Sequence, residues 1–169
     1  EWLLRIEDLD TPRVVPGSAD SILRTLEAFG FEWHGPVMYQ STRSDAYQAA
    51  LDRLFASGSV YYCSCSRSEI HAAQTRSLQS GDELFYPGWC RNGVRAPDRT
   101  LAVRFRVPSE PIRFADSIQG PIQVDLATDC GDFVVRRRDG LFAYQLAVVV
   151  DDAAQGITKV VRGADLLTS

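Results

Sequence analysis

The stretch YQLAVVVDDAAQGITKVVRGADLL, Tyr144 to Leu167, decides how this chain folds, and it is read together with LLRIEDLDTPR, Leu3 to Arg13. Each sets a hydrophobic run against charges gathered at one end: Glu7, Asp8 and Asp10 in one, Asp151, Asp152, Arg162 and Asp165 in the other. An ionised group beside an apolar run is costly unless it is paired or hydrogen-bonded, so both stretches are candidate walls of a site. Helix caps and solvated strand ends account for any one of these carboxylates. They account less well for two such stretches in one chain.

Working outward, strands and helices alternate. Trp2 to Ile6 is expected to be a strand. Ser18 is placed as the N-cap of a helix with Ile22, Leu26 and Phe29 on one face and Gly30 as its stop. Ser41 precedes a second helix, with Tyr47, Ala50, Leu51, Leu54 and Phe55 at three- and four-residue spacing before Gly58. A short helix is predicted from Ser68 to about Ser77. The Gly-, Pro- and aromatic-rich stretch from Gln79 to Asp98 is irregular. LAVRFRV, IQVDL and DFVVRR then alternate as half-exposed strands do. The middle of the chain therefore predicts a small antiparallel insertion, and the flanks an open, mainly parallel α/β sheet, whose ligands sit at the carboxyl ends of strands. Glu7 and Arg162 both follow apparent strands. The domain division expected is 1–60 and 132–169 for the core, with 61–131 inserted.

The 169 residues, 45% of them hydrophobic, are enough for one domain with a core. A net charge of −4 excludes a pervasive basic surface, but not a local patch such as Arg136-Arg137-Arg138, which is equally a solvated strand end. No stretch is long or apolar enough to span a bilayer and no signal peptide is visible, so no membrane partner and a cytoplasmic location are expected. Lys159 is the only lysine, and nothing rests on it.

Four cysteines without a secretion signal do not make a disulfide scaffold. Cys63 and Cys65 form a C-x-C pair, and Cys90 follows after a loop containing Tyr86. Three thiolates brought together form a cup suited to zinc with one further ligand. Buried free thiols explain the same spacing equally well, since cysteine is a common core residue. His71 is a rival fourth ligand, and Cys130 is most simply a packing residue.

The RIED block at Arg5 to Asp8 and the VVDD…VVRG block from Val149 to Gly163 resemble those of class I glutamyl-tRNA synthetases, and the resemblance covers nearly the whole chain. It implies a partial Rossmann-like class I aminoacyl-tRNA synthetase catalytic domain with an inserted zinc-binding subdomain, a ligase. FAYQLAVVVDD, VVRGADLL and the cysteine pattern look most like the glutamyl-queuosine tRNA(Asp) synthetases, a branch without an anticodon-binding domain. That branch carries a C-x-C…Y-x-x-x-C zinc site, which implies Cys63, Cys65, Tyr86 and Cys90 as ligands. The loop between Cys65 and Tyr86 is longer than in that pattern. By the same resemblance Glu7 holds the α-ammonium of glutamate, Arg162 clamps its side-chain carboxylate with a planar fork, and Tyr144 lines the same pocket. Asp8, Asp10, Asp151, Asp152 and Asp165 are expected to be structural, bracing Arg5, Arg13 or helix ends.

The implied reaction is ATP-dependent activation of glutamate, with magnesium, and transfer to queuosine in the anticodon stem-loop of tRNA(Asp). The family's His-x-Gly-His-like phosphate signature precedes the RIED block and its KMSKS-like ATP loop follows the RGADLL block. Neither is in this sequence, which is expected to be a fragment of a longer enzyme, inactive alone and with no catalytic residue of its own to assign. Two alternatives remain: charging of tRNA(Glu), where RGEDH is usual in place of RGADLL, and a truncated zinc-bearing module that only binds RNA or a partner.

Overall fold

The computed structural model describes residues 1–73, 84–164 and 166. Strand β1 (Arg5–Ile6) pairs in parallel with β2 (Met38–Tyr39), and between them lies helix α1 (Ser18–Ala28). Helix α2 (Ser44–Ala56) leads through Gly58, at φ 68, into strand β3 (Val60–Cys63). Helix α3 (Arg67–Ala72) follows, started by a capping box in which Ser66 and Glu69 satisfy one another's backbone N–H groups. Strands β4 (Ala102–Phe105), β5 (Ile112–Asp116) and β6 (Gly120–Val124), a single helical turn α4 (Leu126–Asp129) and strand β7 (Val134–Arg136) come next. Helix α5 (Tyr144–Ala154) is the last regular element among the described residues.

The three-stranded sheet β3-β4-β7 is antiparallel, and β5-β6 is a separate antiparallel hairpin. Period-two alternation gives the larger sheet two different faces. On one side Val60, Val103 and Val135 pack with Tyr47, Ala50 and Leu51 of α2 and with Leu146 and Ala147 of α5, forming the main core. On the other, Tyr61 and Cys63 join Cys65, Ile70, Tyr86 and Cys90 in a second cluster. Thus β3 belongs to the core through one face and to the cysteine site through the other.

Several expectations change in detail. Helix α1 starts at Ser18 after an N-cap at Gly17, rather than being capped by Ser18. Ser41 lies in a 3₁₀ turn ahead of α2, where its N–H and hydroxyl both donate to Asp8, at 2.8 and 2.6 Å. Between strands of the described residues, parallel pairing is confined to β1 and β2; the one other parallel pairing among them is the isolated bridge of Tyr86 with Gly131. The run before Arg162 is not a strand: Val160 and Val161 are exposed and no described strand lies beside them, so their backbone groups have no ladder to join. Helix α3 ends at Ala72, with Ala73 as its C-cap, and the remainder of the predicted helix lies outside the described residues, as does Asp165. No helix among the described residues is long and apolar enough to cross a membrane.

Candidate functional site

Strand β3 ends at Cys63, and the following turn returns Cys65 to the same side of the sheet. The sulfurs of Cys63, Cys65 and Cys90 lie within 4.8 Å of one another, with Cys65 and Cys90 3.6 Å apart. The Tyr86 hydroxyl lies 3.3 Å from the Cys63 sulfur and 3.6 Å from that of Cys65. All four residues are buried. A tetrahedral site with Zn–S bonds of about 2.3 Å separates its sulfurs by about 3.8 Å, and the 3.6 Å between Cys65 and Cys90 is compatible with a metal ion held by this cluster. His71 is exposed on α3 and is not in the cluster. Cys130 lies apart from it, half-buried at the end of α4.

The cluster has a firm surround. Tyr86 pairs with Gly131 in a β-bridge and donates its N–H to the Cys130 carbonyl at 3.2 Å. Gly131 has φ +67, and a Cβ there would collide with the Tyr86 carbonyl oxygen. The guanidinium of Arg104 lies over the Tyr86 ring at 3.8 Å, donates to the Cys63 sulfur at 3.3 Å and donates to the Asp132 carbonyl at 2.7 Å. Burial pushes the Cys65 thiol up to about 11. Burial acts in the same direction on Cys90, but hydrogen bonds from the backbones of Arg95 and Ser64 and from Tyr86 and Cys65 outweigh it and bring that thiol down to about 6. Burial and the three cysteines hold the Tyr86 phenol well above its ordinary range.

Glu7, Tyr144 and Arg162, far apart in sequence, fall on one chain of contacts. Arg5 donates to Glu7 at 3.1 Å and to Oδ1 of Asp152 at 2.8 Å. Oδ2 of Asp152 accepts from Arg162 at 3.2 Å, and a second Arg162 nitrogen donates to the Tyr144 hydroxyl at 2.9 Å. Glu7 and Arg162 remain exposed. A guanidinium has five N–H donors, so Arg162 retains donors beyond the two used here.

Asp151, the neighbour of Asp152, is fully buried and accepts from Gln40 and Tyr47 at 2.8 Å and from Arg43 at 2.6 Å. It ties α5 to α2 and to the 3₁₀ turn before it. The two consecutive aspartates therefore divide their work, one holding the helix in place and the other holding the two arginines. Asp10 pairs with Arg13 and Arg137. The arginine triplet is not simply solvated: Arg136 reaches the Gly140 carbonyl, Arg137 reaches Asp10 and Asp139, and Arg138 reaches the Ser64 carbonyl.

Sequence reasoning missed Arg91, Arg104 and Asp132. Asp132 is buried, and its carboxylate accepts from Arg91, Tyr61 and the N–H of Val107. Burial would raise its pKa, but those donors prevail and hold it below the usual carboxylate range. Its one sequence signal was an aspartate beginning the run DFVV.

The family model for class I tRNA synthetases (E and Q), catalytic domain, matches residues 1–169. A protein of Geobacter sulfurreducens named glutamyl-Q tRNA(Asp) synthetase is 60% identical over 99% of this chain and 54% of its own length. One of that name from Dechloromonas aromatica is 60% identical over the whole chain and 56% of its length. The chain thus spans about half the length of the curated relatives it matches. Among solved structures, a glutamate-tRNA synthetase of Elizabethkingia anophelis superposes with a TM-score of 0.80 at 28% identity, over 98% of this chain and 38% of that one. A glutamate tRNA ligase of Elizabethkingia meningosepticum, solved with its amino acid, gives 0.77 at 28% identity, over 98% of this chain and 37% of that one. With Asp152 of the VVDD block paired to Arg5 of the RIED block, and the family model matched over the whole chain, this chain belongs to the catalytic-domain family of the class I tRNA synthetases for glutamate and glutamine.

Proposed function

We propose that the whole protein activates glutamate with ATP and transfers it to queuosine in the anticodon stem-loop of tRNA(Asp). The observation that carries this reading is the 60% identity, over 99% and 100% of this chain, to proteins named glutamyl-Q tRNA(Asp) synthetase. Glutamyl-tRNA synthesis, the activity named for the solved neighbours, is the second reading, at 28% identity.

In the first step the α-carboxylate of glutamate attacks the α-phosphorus of ATP, forming glutamyl-adenylate and releasing pyrophosphate. Magnesium would neutralise the phosphates. Glu7 is assigned to the substrate ammonium and Arg162, with Tyr144 beside it, to the side-chain carboxylate. A guanidinium offers that carboxylate two parallel N–H bonds, and a substrate lacking it leaves a charged fork unpaired, which gives specificity for glutamate. Cys63, Cys65, Tyr86 and Cys90 are assigned to a structural zinc, whose binding energy is folding energy for the inserted segment 61–131. ATP–pyrophosphate exchange by the complete protein tests the first step. Exchange that depends on glutamate and is not supported by glutamine or aspartate is expected, and exchange indifferent to the amino acid would refute the reading.

A further inference from the structure

A cleft of about 900 Å³ opens between the cysteine cluster and the start of α5, and it is lined by five arginines, Arg13, Arg67, Arg104, Arg137 and Arg138, against two aspartates, Asp132 and Asp139. This is a local excess of positive charge on a chain whose net charge is −4. The arginines are not equally committed. Arg104 is taken up by Cys63, Tyr86 and the Asp132 backbone, and Arg137 by Asp10 and Asp139. Arg13 pairs with Asp10 but leaves most of its side chain in solvent. The Arg67 side chain makes no hydrogen bond or ion pair with any described residue, and the Nε of Arg138 is buried without an acceptor among them. A buried guanidinium N–H lacking an acceptor is costly, and a ligand oxygen would relieve it.

The cleft and the candidate glutamate pocket share one turn of helix. Ala143 and Gln145 line the cleft, while Tyr144 between them bonds Arg162. An anion held in the cleft therefore sits against the turn that carries the amino-acid pocket, and α5 begins there with the positive end of its dipole.

We propose that this cleft grips backbone phosphates of the RNA that receives glutamate, with Arg67 and Arg138 as the principal contacts. The proposal rests on the reading of the protein as an RNA-glutamylating enzyme and names the surface that reading leaves unassigned. Phosphate contacts of this kind orient the RNA without reading its sequence. The cleft fits a polyanion better than a single acidic metabolite, because its donors come from the turn after β7, from α3 and from the segment after β1 rather than from one point.

The test is titration of the complete protein with a fluorescein-labelled tRNA(Asp) anticodon stem-loop hairpin between 50 and 200 mM salt. Arg67 is exposed and Arg67→Ala removes no side-chain hydrogen bond or ion pair among the described residues, so its folding is expected to match that of the unaltered protein by thermal melting. It should weaken binding about tenfold, as loss of one charge-assisted hydrogen bond does, and flatten the log Kd against log salt slope by about 0.7 to 0.9. Arg67→Glu should weaken binding further. Arg24→Ala, which removes a charge from the exposed face of α1, should bind as the unaltered protein does. Affinity within twofold for both Arg67 variants, or weakened affinity with an unchanged salt slope, would overturn the proposal, as would absence of hairpin binding by the unaltered protein. Failure of glutamate-dependent pyrophosphate exchange, by contrast, would strike the functional reading while leaving a phosphate-binding cleft in place.

Discussion

The Asp132 carboxylate receives both Nε and Nη2 of Arg91, at 2.6 and 2.7 Å, across 41 positions of sequence. The same carboxylate holds Tyr61 of β3 and the backbone after β4, so one buried charge joins the cysteine side of the sheet to the segment entering β7. Asp132→Ala would take the shared acceptor from donors on three residues, Arg91, Tyr61 and Val107, and we predict a loss of about 3 kcal/mol in denaturant unfolding of the complete protein. The folded pKa is depressed, so the contribution is fully present above the unfolded value of about 3.9 and is lost as pH falls through the lower folded value. The gap between the two proteins should therefore be constant from neutral pH to about pH 5 and narrow below pH 4. A gap that widens on acidification would contradict this.

Gly131 and Gly58 share nearly the same left-handed backbone, φ +67 and +68, but differ in what surrounds them. A Cβ on Gly58 meets open space, whereas one on Gly131 meets the Tyr86 carbonyl. Gly58→Ala should cost about 1 kcal/mol, the left-handed penalty alone. Gly131→Ala should cost at least about 1 kcal/mol more and displace Tyr86 from the cysteines, seen as reduced metal content. Equal melting temperatures for the two variants would show that the clash is absorbed elsewhere.

The donor set Cys63, Cys65, Tyr86 and Cys90 predicts close to one zinc per chain in protein purified without a histidine tag. Cys63→Ser, or removal of the metal by a strong chelator, should lower thermal stability, because a structural zinc site contributes folding energy directly. Elemental analysis giving well under half an equivalent in undamaged protein would refute the assignment.

Arg162 offers a planar fork that lysine cannot reproduce. Arg162→Lys is expected to lower kcat/KM for glutamate in pyrophosphate exchange by about 10- to 100-fold. Tyr144→Phe removes only the 2.9 Å hydrogen bond to Arg162 and should raise KM by about threefold to tenfold. Near-normal exchange by Arg162→Lys would show that another residue takes the carboxylate.

Local spacing made much of this legible. The residues of α2 that the three- and four-residue pattern picked out, Tyr47, Ala50 and Leu51, are buried in the core, and Cys63 and Cys65 do converge with Tyr86 and Cys90. Asp152 braces Arg5, and Asp10 braces Arg13, as the charge pattern suggested. Hydrophobic runs were less informative where a neighbour decides the outcome: VV before Arg162 has strand composition, yet without a described partner strand it stays irregular and exposed. Asp132, Arg91 and Arg104 were not legible because their side-chain hydrogen-bond partners lie 16 to 71 residues away and no local motif marks them. The arginine cleft has the same character, since Arg13, Arg67 and Arg138 meet only after folding.

Labelled-glutamate incorporation by the complete protein identifies the RNA that receives glutamate. The substrates are purified tRNA(Asp) containing queuosine, tRNA(Asp) from cells unable to make queuosine, and tRNA(Glu). We predict ATP-dependent labelling of the first alone. Robust labelling of tRNA(Glu), or equal labelling of the two tRNA(Asp) samples, would contradict the account.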